Sequence, residues 1–234
     1  MSGQDGFDHG EVPIKPAATV ILVRDGREGV EALLLRRDEG LAFHGGSWVF
    51  PGGRLDPEDF ERAGSEDEVA AARFAAAREA KEEADLDLTP DEMVPFSHWT
   101  TPKGRNRRFS TSFFVGLAPA GEVTVDDGEI RAFGWLTAAR AIADCDRGEL
   151  QLAAPGYVSL LRLARYGSAA EAVEHTRSHA YEVFKPRIAK AGDGQVHSLY
   201  QEDVSYESLD LGLRGPLHRT LMLVNGGFRY IREF

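Results

Sequence analysis

The chain has 234 residues, 42% of them hydrophobic, enough for one well-buried core with extensions or at most two small domains. A formal net charge of −11 excludes a surface that coats nucleic acid, so an anionic ligand would need a local basic patch or metal ions. The single cysteine, Cys145, excludes a disulfide framework and a cysteine zinc site, and no apolar run reaches the roughly 18 residues of a membrane span.

Met1–Pro13 is polar and acidic, unlike a secretory leader, and is expected to be a loose tail. The chain ends Arg232-Glu233-Phe234, which is not the usual peroxisomal tripeptide, so the expected compartment is the cytoplasm. Ala17–Val23 and Val30–Leu35, on either side of Asp25-Gly26, predict two strands. The Arg36-Arg37 pair that follows either steers phosphates or is simply solvated. Gly45-Gly46 marks a loop before a short strand, Ser47–Phe50.

The stretch Trp48–Leu86 holds the chemistry. The glycines of Phe50-Pro51-Gly52-Gly53-Arg54 let the backbone bend and come close to a ligand. Asp56–Asp67 is polar and predicts a surface loop or short helix. From about Glu66 to Ala84 there is no Gly or Pro, and Ala, Glu and Arg dominate, so a helix is expected, capped by Ser65 with Glu68 three residues on. Glu79, Glu82 and Glu83 stand at i, i+3 and i+4 and share one face. Hard oxygen ligands clustered in this way suit Mg²⁺ or Mn²⁺. The alternative is an acidic solvated face with Arg78 and Lys81 interleaved.

Beyond the helix, Leu86–Leu88 is read as a short added strand, and Pro95–Thr100 and Phe109–Leu117 as two more. Between the last two, Lys103, Arg105, Arg107 and Arg108 place four cations in six residues. They either hold phosphates by charge-assisted contacts or decorate an ordinary hairpin loop. Glu122–Asp127 is an acidic turn region, and Glu129–Leu136 predicts a strand with Trp135 packed. Helices are expected at Thr137–Cys145, capped by Thr137, at Gly156–Tyr166 and at Ala169–Ser178. His175 and His179 share a helix face, but Thr176 stands where a zinc protease has Glu, so a solvated face is the expectation. His218–Val224, Asn225-Gly226-Gly227 and Phe228–Ile231 predict a hairpin. Tyr157, Tyr166, Tyr181, Phe184 and Phe228 are expected in the core. The predicted organisation is a tail (1–13), a main domain (14–150) and an extension packed on it (151–234).

Gly53, Arg78-Glu79-x-x-Glu82-Glu83 and Leu86 resemble the box of the Nudix hydrolase family, G-x5-E-x7-R-E-U-x-E-E-x-G-U, where U is a bulky apolar residue. The match departs from the box in several places. Gly53 and Arg78 are 25 positions apart where the box has 14, an insertion of 11 residues. Asp59 stands six after Gly53 in place of Glu, Ala80 is small for its position, and Asp85 replaces the glycine that ends the helix. Aligning backwards from Arg78 would give Gly64 and Ala70; Gly53 is preferred because Pro51-Gly52 comes with it. An insertion at this place resembles the branch that contains coenzyme A diphosphatases, and similarity to it extends over most of residues 15–165.

The resemblance implies an α/β fold, the Nudix α/β/α sandwich with a mixed sheet, here with a C-terminal helical and β-hairpin extension. It implies Mg²⁺ or Mn²⁺ on Glu79, Glu82 and Glu83, with Arg78 orienting them and a further carboxylate from outside the box, for which Glu129 is the candidate and Asp127 the reserve. Gly52, Gly53, Arg54, Arg105, Arg107 and Arg108 are the candidate substrate contacts. The implied activity is cleavage of a diphosphate bond in a nucleoside diphosphate linked to another group, with coenzyme A or an acyl-CoA favoured on the branch resemblance. ADP-ribose, NADH, a general nucleotide pyrophosphatase and a non-catalytic nucleotide sensor stay open. The implied partner is a small nucleotide-diphosphate substrate, with no stable nucleic-acid or membrane binding, and a homodimer stays open.

Overall fold

The computed structural model describes residues 12–41, 45–125 and 128–234. Most of the expected tail and the reserve ligand Asp127 lie outside the described residues. The organising strand is β1, Ile14–Gly26, whose middle is buried on both faces. It runs antiparallel to β2, Gly29–Arg37, and parallel to β6, Arg108–Leu117, so the sheet is mixed. The flanking strands are β3 (Trp48–Val49), β5 (Val94–Thr100) and β8 (Glu182–Phe184), giving the order β3-β2-β1-β6-β5-β8. β4 (Gly52–Arg54) also pairs with β1, and β7 (Ile130–Thr137) with β2.

Alternation along the strands sends their side chains into two apolar layers. Val20, Leu22, Leu33 and Leu35 face the long helix α2, Glu68–Ala84. Ile21, Val23, Ala32 and Leu34 face the other way, toward α3 (Ala138–Asp146), α4 (Ala154–Leu163) and α5 (Ala169–Arg177). The result is a three-layer α/β/α sandwich. α2 presents Ala72, Ala76, Ala80 and Ala84 to the sheet at four-residue spacing, all fully or nearly fully buried. These small side chains hold the helix close to the strands, and enlarging one would overpack the layer at a cost of about 1–3 kcal/mol.

The caps differ in part from expectation. α2 is capped by Asp67, which accepts from the Val69 N–H, while Ser65 accepts from the N–H of Asp67 instead. Asp85 does end the helix in the left-handed conformation, with φ 55°, and pairs with Lys81 at 2.7 Å. Thr137 caps α3 as expected. Leu86–Leu88 is not a strand; Leu86 is buried against the alanines of α2. The inserted stretch forms a helix, α1, Pro57–Ala63.

The extension contains more sheet than the predicted hairpin. β9 (Arg187–Lys190), β10 (Val196–Leu199), β11 (Leu217–Met222) and β12 (Phe228–Glu233) form a four-stranded antiparallel sheet, of which β11–β12 is the expected hairpin. β8 joins the main sheet beside β5, where Phe184 stacks on Trp99 with ring centroids 3.9 Å apart. Tyr157, Phe184 and Phe228 are buried as expected, and Tyr166 is partly buried against the same core, but Tyr181 is exposed. Within the second sheet, Asp203 is buried and accepts from Arg219, Ser205 and the His218 N–H. No helix among the described residues is long and apolar enough to cross a membrane.

Candidate active site

α2 brings its carboxylates against the β4 glycines because β4 hydrogen-bonds to β1 directly beneath the helix, pairing Gly52 with Thr19 and Gly53 with Ala18. The glycines are needed for closeness rather than for a bend: neither has positive φ. A Cβ on Gly53 would stand 2.1 Å from a Glu79 carboxylate oxygen, and one on Gly52 would stand 2.4 Å from the Ala18 carbonyl oxygen. The Gly52 N–H donates to Glu83 Oε2 at 3.0 Å. It therefore holds a carboxylate of the helix, a contact the sequence did not indicate. Gly64, the rival start of the box, is the left-handed cap of α1 and makes no such contact.

Arg78 ties the cluster together. It donates to Glu79 at 2.9 Å, to Glu82 at 3.1 Å and to the Arg54 carbonyl at 2.9 Å. It also donates twice to Asp59, at 3.1 and 3.3 Å, and lies 3.6 Å from Asp56. Asp59 has no solvent exposure and belongs to a capping box with Asp56 at the start of α1. The sequence reading counted Asp59 as a departure from the box, yet it supplies the buried partner of Arg78. The signal was its position six after Gly53; what could not be read was that the lengthened segment would fold as a helix against α2. Burial lowers the Arg78 pKa, but Asp59 and Glu79 more than reverse this and hold it raised.

The carboxylates differ in setting. Glu83 is buried, and burial pushes its pKa up to about 8; the Gly52 N–H opposes this and nearby Glu79 adds to it. Burial also raises the Glu79 pKa, with Arg78 acting in the opposite direction. Glu82 is largely exposed. Arg37, one of the pair left open from sequence, bridges Glu83 at 3.9 Å and Glu129 at 2.9 Å. This places Glu129, from the segment before β7, beside the box. Arg36 instead pairs with Glu39 on the surface.

Among the described residues, no three His, Cys, Asp or Glu side chains already form a metal cage; the α2 carboxylates are each held by guanidinium or N–H donors. By type the set nevertheless fits Mg²⁺ or Mn²⁺. It offers hard carboxylate oxygens, and the buried Glu83 would be kept ionised by an added cation. His175 and His179 stack at 4.0 Å on the exposed side of the molecule.

The β5–β6 loop stands apart from this cluster. In the parallel register Arg108 sits beside Ile14, four residues before the Ala18 that pairs with Gly53, about 13 Å along the sheet. Arg105 and Arg107 are exposed. Arg108 departs from its expected role: it is buried and donates to the Thr101 carbonyl at 3.2 Å, closing the base of the loop. The Arg54 side chain is exposed; its carbonyl is what serves the cluster.

The NUDIX domain family profile matches residues 13–157, well over half of the chain. The acyl-coenzyme A diphosphatase NUDT19 of Xenopus laevis is 31% identical over 127 residues, a match covering 51% of this chain and 33% of that protein. The crystal structure of a NUDIX hydrolase from Alicyclobacillus acidocaldarius superposes with a TM-score of 0.63 at 26% identity, over 70% of this chain and 96% of that one. Box residues, sheet topology and these matches agree: the chain belongs to the Nudix hydrolase family.

Proposed function

We propose that this chain hydrolyses a diphosphate bond in a nucleoside diphosphate linked to a second group, and that coenzyme A or an acyl-CoA is its favoured substrate. The observation that carries the reading is the docking of Glu79 and Glu83 against Gly52-Gly53, with Arg78 bracing Glu79 and Glu82. The similarity to an acyl-CoA diphosphatase supports the choice of substrate, although this chain spans only about a third of that relative.

Glu79, Glu82, Glu83 and Glu129 would hold Mg²⁺ or Mn²⁺. Bound there, a divalent cation would neutralise the diphosphate and lower the pKa of a coordinated water. Glu79 is the candidate base: it is largely buried and its carboxylate lies against Gly53. It takes the proton as the water oxygen bonds to one phosphorus. The bond from that phosphorus to the bridging oxygen breaks, and the second phosphate leaves with the electron pair, without a covalent intermediate. Arg78 keeps Glu79 and Glu82 in place, and Arg37 does the same for Glu83 and Glu129. Arg105 and Arg107, exposed beyond the β5–β6 hairpin, are the candidate contacts for outlying phosphate.

The test is a product screen of CoA, ADP-ribose, NADH and a nucleoside triphosphate with Mg²⁺ or Mn²⁺, resolved by chromatography. Release of 4′-phosphopantetheine and 3′,5′-ADP from CoA is expected. Cleavage of ADP-ribose or NADH alone would overturn the substrate assignment, and cleavage of nothing would overturn the activity.

A further inference from the structure

Arg37 stands between two of the candidate metal ligands. Its Nη2 donates to Glu129 Oε2 at 2.9 Å, and its Nη1 lies 3.9 Å from Glu83 Oε1. The other Glu83 oxygen, Oε2, accepts from the Gly52 N–H. The backbone behind the guanidinium is fixed. The Arg37 N–H donates to the Ser47 carbonyl, the Arg37 carbonyl accepts from Gly46, and the next residue, Asp38, donates to the Glu129 carbonyl. Only the side chain is left to move. Its fit in this place is incomplete. Among the described residues, the buried Arg37 Nε has no hydrogen-bond partner, and the approach to Glu83 is too long for a hydrogen bond.

A divalent cation held by both carboxylates needs an oxygen of each at about 2.0–2.1 Å for Mg²⁺. The oxygens turned toward such a point, Glu83 Oε1 and Glu129 Oε2, are the two that now face the guanidinium. A guanidinium and a divalent ion in that place would repel each other, and the repulsion is little screened because the Arg37 side chain is only 17% exposed. Resting on the metal assignment of the diphosphatase reading, we propose that Arg37 is a positioning residue that fills the cation place between Glu83 and Glu129 in the metal-free protein, yields it when the ion binds, and then turns its charge to the diphosphate. The exchange keeps the buried Glu83 facing a cation at each stage. It also makes metal loading and the release of a phosphate-binding cation a single event, at a distance set by the fixed end of β2.

Two measurements on the full chain, neither of which needs turnover, test this. The first is the affinity for Mn²⁺ alone, followed by the electron paramagnetic resonance signal of the free ion. A guanidinium that fills the place nine-tenths of the time reduces the apparent affinity for the ion about tenfold. Arg37→Gln should therefore tighten Mn²⁺ binding about tenfold, and yet lower kcat/KM for any diphosphate that the chain cleaves. Weaker Mn²⁺ binding in Arg37→Gln would mean that Arg37 holds the carboxylates ready for the ion, and would overturn the exchange; so would a wild-type chain that binds no Mn²⁺. The second measurement follows the Nε–H group of Arg37 in the wild-type chain by nitrogen-15 NMR, its signal assigned by its loss in Arg37→Lys. The group should be ordered in the metal-free protein, mobile with saturating Mg²⁺, and ordered again when methylene-bridged ADP is added. A signal unmoved by Mg²⁺ would overturn the proposal even if Arg37→Gln tightened Mn²⁺ binding, because loss of a nearby charge would then account for the tightening. If both measurements come out as expected and no substrate is cleaved, the exchange stands and only the diphosphatase reading fails.

Discussion

Asp59 and Arg78 are 19 residues apart in the chain and are joined by two hydrogen bonds where α1 meets α2. The carboxylate is wholly buried and the Arg78 side chain is partly buried. Each neutralises the other, and the remaining donors of Arg78 are left to orient Glu79 and Glu82. Asp59→Asn keeps the shape but removes the charge. We expect kcat to fall at least about tenfold, equivalent to about 1.4 kcal/mol of transition-state stabilisation, with KM changed much less. A fall that merely tracked the folded fraction, followed by circular dichroism, would make the contact structural only.

The two glycines of β4 should respond differently to the same substitution. An added Cβ at Gly53 meets the end of the flexible Glu79 side chain, whereas at Gly52 it meets backbone. Gly53→Ala should therefore cost under about 1 kcal/mol of stability yet remove most of the activity, because Glu79 must turn away. Gly52→Ala should cost about 1–3 kcal/mol through the clash with β1. Thermal melts and turnover of the two variants side by side decide this; a Gly53→Ala enzyme with near wild-type kcat would mean that the position of Glu79 is unimportant.

Glu83→Gln tests the metal assignment. Removing one carboxylate ligand should cost several kcal/mol of charge stabilisation, so activity at saturating Mg²⁺ should drop more than about tenfold. The fold should survive, because a neutral amide in that buried position avoids the desolvation that raises the Glu83 pKa. Retention of more than about a tenth of the activity would remove Glu83 from the ligand set.

The second sheet should set the acid limit of the fold. Burial alone would raise the Asp203 carboxyl, but Arg219 and the N–H groups of Ser205 and His218 outweigh it and hold it below its ordinary 3.8. A carboxylate depressed in the folded state adds stability that is fully present above the unfolded pKa. It is lost as the pH falls below 3.8 and through the folded value. Asp203→Ala, which strands the buried Arg219, should lower stability by about 3–5 kcal/mol at pH 7. Its deficit against wild type should shrink in denaturant melts as the pH falls from 5 toward 2; a constant deficit would mean that ionisation of Asp203 contributes nothing.

Local pattern in the sequence was enough for the α2 helix, its three glutamates on one face, the strands flanking Asp25-Gly26 and the hairpin around Asn225-Gly226. Each rests on interactions within a few residues, such as a 3.6-residue period, a cap or a turn. Only the tertiary structure decided which of those groups meet. Asp59 became the partner of Arg78 because the insertion folded back as a helix. Arg37 bridged Glu83 and Glu129 because β2 runs between β3 and β7, and Arg108 was buried by closure of its own loop. β8, β9 and β10, three or four residues each, carry too little alternation to stand out, and they exist through pairing with strands distant in sequence. Spacing along one helix carried the candidate ligands; the charges that hold them came from elements whose approach depends on the packed core.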